Sequence, residues 1–309
     1  MNRGSKAAVC MLLALGLAAC GRQTQPQQDG EQSVTMVEVT PPEAANTPEM
    51  REERPASVDN EKLAQAQAIS DLIDGFTAER IQDDGQWAVA VQCAGEASCQ
   101  SSNSGPMQSA SLIKLFVAAA VEENRQSLAV WEQYSGETDD LLLHMLSESD
   151  NEATNELVIR LGDGDALAGM EVVNQYCVVN GYQDTSMGRL MLDFSSTADN
   201  YTSVKDCCAF LQAVLDGEVA GSDEILSALK QQVRRAKIPA GVPDSVVTAN
   251  KTGELDTVEN DVAIVWAGEQ PYILCVMSNE LSDTEAARAQ IIAVSEKVYA
   301  WTANDKKER

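Results

Sequence analysis

Three short clusters in this chain of 309 residues carry side chains able to move an acyl group. The first is Ser109-Ala110-Ser111-Leu112-Ile113-Lys114, in which Ser111 and Lys114 stand three apart. On a helix that spacing puts hydroxyl and amine on one face, one turn from each other. A serine at a helix start gains from the free N–H groups and partial positive charge there, and an amine one turn on can take its proton. Ser227-Ala228-Leu229-Lys230 repeats the spacing, so a capping serine beside an unrelated lysine is the plain alternative. The other two clusters are Ser149-Asp150-Asn151 and Lys251-Thr252-Gly253. Each alone says little, since Ser101-Ser102-Asn103 offers another Ser-x-Asn. The single histidine, His144, lies in the apolar run Leu141 to Leu146, where a histidine is more often a packed or half-exposed helix residue. A catalytic serine here would therefore use a proton acceptor other than histidine. Lys114 can serve only when neutral, and burial near a second ammonium such as Lys251 disfavours its charged form.

These side chains need elements to position them. Leu112, Leu115, Phe116 and Ala119 recur at helical spacing, which predicts a buried helix directly after Ser111. Leu63, Ala66, Ile69, Ile73 and Phe76 predict an earlier helix, capped by Asp59 or Asn60. Trp87 to Cys93 reads as a strand and Gly95 to Gly105 as its hairpin return. Helical patterns fill the chain from Leu112 to about Gln232. Strands return at Val246 to Ala249, Asp261 to Ala267 and Tyr272 to Ser278. They are apolar on both alternations, so the sheet should be covered on both faces. Ser282 with Glu285 reads as a capping box opening a last helix through Trp301. The expected architecture is α/β: an antiparallel sheet formed by both chain ends, flanking helices, and an all-helical lobe between.

Arg3 and Lys6 precede an apolar run from Ala7 to Ala19, too short to span a bilayer and shaped like an export signal. Its end, Leu17-Ala18-Ala19-Cys20-Gly21, resembles the lipobox of bacterial lipoprotein signals, which implies acylation of Cys20 and anchoring at the outer face of the bacterial cell membrane. Residues 21–58 are rich in Gln, Glu, Pro and Thr without apolar periodicity, and read as a disordered tether. The folded domain is expected over 59–302, with a charged tail at 303–309. A formal charge of −26 excludes nucleic acid as a partner, because such affinity needs concentrated Lys and Arg. Export permits disulfides. Cys93 and Cys99 flank the hairpin turn, while Cys177 is a candidate partner for Cys207 or Cys208; Cys275 completes the set outside the leader. His144 has no nearby Cys at ligand spacing, which argues against zinc.

Taken in order, Ser111-x-x-Lys114, Ser149-Asp150-Asn151 and Lys251-Thr252-Gly253 resemble the three motifs of the penicillin-recognising serine enzymes, most closely class A β-lactamases. The resemblance covers about Asp59 to Trp301. It implies that Ser111 forms an acyl-enzyme with a β-lactam or cell-wall peptide, with Lys114 as proton acceptor or relay. Ser149 would pass a proton to the leaving nitrogen, and Asn151 would bind the substrate's side-chain amide. Lys251 and Thr252 would hold its carboxylate, beside Gly253, and the backbone N–H groups of Ser111 and Glu254 would form the oxyanion hole. No cofactor is implied, and a monomer is expected. The chain departs from the family pattern after the Ser-Asp-Asn helix. Where class A enzymes place a water-activating glutamate, Asp184 to Asp193 contains none, and ungapped comparison puts Met191 there. Asp193 is the nearest carboxylate and the candidate activator, with Asp184 second. The link from Ser111 to Ser149 is shorter than in typical class A members, which reduces one wall of the cleft. The arginine that helps bind the substrate carboxylate has no clear counterpart, with Arg234 and Arg235 as the candidates. The implied activity is β-lactam ring hydrolysis. The alternatives are acyl transfer on D-alanyl peptides or esters, and a non-catalytic lipoprotein that binds cell wall.

Overall fold

A computed structural model describes residues 67–76, 84–93, 100–103, 105–268 and 270–304. The signal segment with Cys20, the tether, the cap at residues 59–60, Cys99 and the last residues of the tail lie outside these.

Helix α1 (67–76) precedes strand β1 (Gln86–Cys93), whose hairpin partner is β2 (Gln100–Ser102). Strand β3 (Met107–Gln108) and a 3-10 turn (Ala110–Leu112) open α2 (Ile113–Glu123). The lobe continues through α3 (Arg125–Leu128), α4 (Glu137–Leu143), a π-helical turn (His144–Glu148), α5 (Asn151–Leu161) and α6 (Ala166–Val179). Strand β4 (Tyr201–Thr202) returns to pair with β3, and α7 (Val204–Leu215) and α8 (Ser222–Lys230) complete the lobe. Strands β5 (Val247–Leu255), β6 (Val258–Trp266) and β7 (Tyr272–Asn279) and helix α9 (Thr284–Asn304) finish the described chain.

The main sheet has the order β2-β1-β7-β6-β5, every neighbouring pair antiparallel, so the last strand of the sequence lies against the first long one. This is the sheet expected from the two chain ends. Its pleat sends alternate side chains into two cores. Ala88 and Ala90 of β1 with Ile273, Cys275 and Met277 of β7 face the helical lobe and α2. Trp87, Val89 and Val91 with Leu274 and Val276 face α1 and α9 through Ile73, Phe76, Ile291 and Val294. Both faces are covered, which is why these strands read as continuous apolar runs. Helix α2 is buried along its length from Ile113 to Val121, so it is the axis around which the lobe packs.

Three expectations need correction. Strand β5 extends through Lys251-Thr252-Gly253 to Leu255 instead of stopping at Ala249, because these polar residues pair in register with Asn260, Asp261 and Val262 of β6. The N-cap of α9 is Asp283, whose Oδ1 accepts from the Ala286 N–H at 2.9 Å; the Ser282 and Asp283 N–H groups instead donate to the Asp84 carboxylate. Cys177 and Cys207 are free, buried thiols and not a disulfide, and burial pushes each up to about 12.

Candidate active site

Ser111 lies in the middle of the 3-10 turn and is partly exposed, whereas Leu112 and Ile113 behind it are fully buried. It caps nothing: neither the turn nor α2 has a side-chain cap, so the plain alternative of a capping serine does not hold. Among the described residues its hydroxyl makes no hydrogen bond, which leaves it available to a ligand. Ala110 just before it has φ +46, a left-handed conformation that costs a residue with a Cβ about 1 kcal/mol or more. Packing holds that strain. Asn260 of β6 donates to the carbonyls of Gln108 and Ser109 at 2.9 and 3.3 Å, and Ser109 N–H donates to Asn200 O at 2.9 Å. Gly253 lets the segment approach β5 directly, since a Cβ there would meet Ser109 O at 2.5 Å.

The lysine and second serine arrive from different elements. Lys114, on the first turn of α2, is completely buried, and its Nζ donates to Ser149 O (2.6 Å), Asn151 Oδ1 (2.8 Å), Asp150 O (3.1 Å) and Ser149 Oγ (3.3 Å). Lys251, buried in β5, donates to the same Ser149 Oγ at 2.8 Å and to Thr252 O at 3.0 Å. The Ser149 hydroxyl therefore lies between two amines. Burial is the main cause that lowers Lys114 to about 7; Asp150 opposes it and Arg234 adds to it. Burial also holds Lys251 well below the usual lysine range, with Lys114 and Arg234 contributing. A neutral lysine keeps two N–H donors and gains a lone pair. Two donors suffice for Ser149 O and Asn151 Oδ1, its two shortest contacts, and among the described residues no hydrogen bond joins Lys114 directly to Ser111.

Ser149 is placed by a local irregularity. The π-helical turn over His144–Glu148 ends in Ser149 at φ +63, and Asp150 then caps α5 by accepting from the Ala153 N–H at 2.6 Å. Thus Asn151 starts a helix whose first turn faces Lys114. Turns of this kind free carbonyl groups. Buried Gln232 takes one, donating to Leu146 O at 2.7 Å, and Val233 N–H takes Ser147 O at 2.9 Å. Local sequence carries no sign of this support, because a lone glutamine after α8 has the pattern of a surface residue. His144 is half exposed beside Glu148 at 3.1 Å, away from these amines' hydrogen bonds.

The loop after α6 holds the remaining candidates. Asn155, one turn beyond Asn151, grips the backbone of Met191 at both ends: Nδ2 donates to Met191 O at 3.0 Å and Oδ1 accepts from Met191 N at 2.8 Å. Met191 is buried, so an apolar thioether occupies that place. The structure does not bring Asp193 to the amines. Its carboxylate is exposed and accepts from Ser195 Oγ at 2.6 Å and Ser195 N at 3.1 Å, and these bonds hold its pKa below the usual range. Asp184 lies beside Asp206 at the start of α7, its N–H donating to that carboxylate at 2.9 Å. Arg189 with Asp199 (2.8 Å) and Asn200, accepting from the N–H groups of Gly188 and Arg189, tie the loop to the segment ahead of Ser111.

On β5 the Glu254 side chain faces cations. Its carboxylate pairs with Lys237 at 3.0 Å and Arg234 at 3.3 Å, and Lys237 also pairs with Glu259 at 2.6 Å, which Arg288 reaches at 2.7 Å. Arg234, Lys237, Glu254, Arg288 and Thr252 line a cavity of about 90 Å3. Of the two arginines considered from sequence, Arg234 lines it. Lys237 was not anticipated, since a lysine ahead of Ile238-Pro239 reads as an exposed loop residue.

A partly exposed serine, two buried amines and the serine hydroxyl that bridges them stand between a helical lobe and an antiparallel sheet. The sequence model of the β-lactamase enzyme family matches residues 126–302, more than half of the chain. The chain belongs to that family, within the penicillin-recognising serine enzymes. Among solved structures it is similar to a β-lactamase from Xanthomonas campestris (20% identity, TM-score 0.65, covering 76% of this chain and 98% of that one). It is also similar to a β-lactamase from Sphaerobacter thermophilus (21%, 0.63, 75% and 98%) and to PBP-A (22%, 0.62, 78% and 96%). At these identities the likeness speaks for the fold. No curated protein matches the chain.

Proposed function

We propose that this chain is a serine hydrolase that forms an acyl-enzyme at Ser111 with β-lactams or related amides, and that it releases the acyl group slowly. The observation that carries the reading is the Ser149 hydroxyl held between the buried amines of Lys114 and Lys251, at 3.3 and 2.8 Å. Neutral Lys114 takes the proton from Ser111 Oγ as the oxygen attacks the carbonyl carbon. The C–N bond breaks as the leaving nitrogen receives a proton from Ser149 Oγ, which is replenished by Lys114. Fixed N–H donors, with those of Ser111 and Glu254 as candidates, stabilise the oxyanion that develops during attack. Asn151 and Thr252 flank the path along which a substrate would lie.

Release needs an activated water, and here the family's glutamate is replaced by buried Met191 while Asp193 is held by Ser195. That favours a long-lived intermediate over rapid ring hydrolysis. It equally favours acyl transfer on D-alanyl peptides or esters as the natural reaction. A bacterial lipoprotein at the outer face of the cell membrane would meet either substrate.

Intact-mass spectrometry of the protein with benzylpenicillin over time tests the reading. The expected result is a one-to-one adduct that is absent from Ser111→Ala, persists after excess drug is removed, and decays faster in Met191→Glu. Native protein that never takes up the added mass would sink acylation. Rapid loss of the adduct with accumulating product would sink slow release.

A further inference from the structure

The Glu254 carboxylate has an unusual position for a site expected to receive an anion. It is two-thirds buried, on the strand that carries Lys251 and Thr252, and it makes ion pairs with both Arg234 and Lys237 in the cavity beside Thr252. Lys237 is almost fully buried and is shared with Glu259, which also takes Arg288. Every cation lining that cavity thus has a carboxylate partner from the chain itself. An incoming carboxylate would have to displace Glu254 from half-exposed Arg234 or lie next to it, and two like charges at ion-pair distance repel, most strongly on the side of buried Lys237.

We infer that Glu254 is a specificity-determining residue that occupies the cations a substrate carboxylate would otherwise use, so that this site prefers amides or esters with an uncharged group next to Thr252. The inference rests on the acyl-enzyme reading for where substrate lies, and names the substrate class for it. Burial alone would raise the Glu254 pKa, but Lys237 and Arg234 outweigh it and keep the carboxylate ionised. Burial and the nearby Lys114 and Arg234 lower the Lys251 pKa, which disfavours its charged form and so acts in the same direction. Nothing in this arrangement penalises a neutral ester or amide, which can accept from Thr252 Oγ1 and Arg234 without a repulsive partner.

The test uses binding without chemistry, in the full-length chain carrying Ser111→Ala, titrated calorimetrically with benzylpenicillin and with its methyl ester. The expected result is that the ester binds at least as tightly as the acid. Adding Glu254→Gln should raise the acid-to-ester affinity ratio by about tenfold, the scale of one charge-assisted hydrogen bond made once the repulsion is removed. Adding Arg234→Gln to that protein should abolish the increase. A merely structural role for Glu254 would move both ligands together and leave the ratio unchanged. An unchanged ratio, a parent that prefers the acid, or a Glu254→Gln protein that binds neither ligand overturns the inference. Because Ser111 is absent, failure of the wild-type chain to acylate counts against the proposed function alone.

Discussion

In the proposed reaction, Lys114 is the residue on which the chemistry turns. Its amine is buried with four oxygen acceptors and no carboxylate bonded to it, and burial brings it from the ordinary 10.5 to about 7. Because the basic form is the neutral one, acylation of Ser111 should rise as pH increases through about 7 and level off above it. Stopped-flow acylation measured at several pH values checks this, and a rate that stays flat across that range would remove Lys114 as the base. The same shift has a stability consequence of definite sign. Between about 7 and 10.5 the folded state binds fewer protons at this group than the unfolded state does, so its unfavourable contribution shrinks as pH rises through that window. That Lys114, Ser149, Asn151 and Lys251 would meet was legible from residue types and order, since Ser-x-x-Lys, Ser-Asp-Asn and Lys-Thr-Gly are informative together. Other side-chain pairing across the fold was not. Neither Lys237 nor Gln232 stands in a local pattern that announces a buried partner, and the charges that Glu254 meets come from about twenty residues upstream and from α9.

At the scale of elements, the site depends on how closely the turn before α2 approaches β5. Gly253 has no Cβ, and one placed there would meet backbone, Ser109 O at 2.5 Å, as well as Ala110 Cβ and Leu112 Cγ at 3.3 Å. Backbone on both sides cannot give way as a flexible side chain would. Gly253→Ala should therefore push Ser111 off its position and slow acylation by about a hundredfold, the usual scale for displacing a reacting group by roughly 1 Å. A Gly253→Ala protein that acylates at the wild-type rate would show that the close approach does not position the nucleophile. Strand and helix identities were mostly readable because apolar periodicity survives in α2, β1 and β7. The π-helical turn was not, since one added residue within the apolar run Leu141–Leu146 does not alter its composition. The reach of β5 was missed for a related reason: Asn250, Lys251 and Thr252 are buried by virtue of their hydrogen bonds, and polarity alone reads as a strand end.

For the whole molecule, the sheet order β2-β1-β7-β6-β5 makes the fold depend on segments nearly two hundred residues apart in sequence. Trp87 shows the arrangement. It is buried on the α1 and α9 face, edge-on to Phe76 with ring centroids 5.9 Å apart, and its indole N–H donates to Asp84 O at 2.8 Å. Trp87→Ala should lower unfolding stability by about 3–5 kcal/mol, as for other large aromatics removed from a core. Acylation per folded molecule should be retained, because Ser111, the proposed nucleophile, adjoins the core on the opposite face of the sheet. Urea unfolding together with active-site titration separates the two effects, and lost acylation at full stability would contradict the division of the cores. The two sulfhydryls of Cys177 and Cys207, sealed inside the lobe and kept protonated, give the molecule a built-in clock. An alkylating reagent reaches Cys177 only when α6 lifts from the lobe and Cys207 only when α7 lifts from its neighbours, so the pace of labelling at each reports how often that part of the lobe opens.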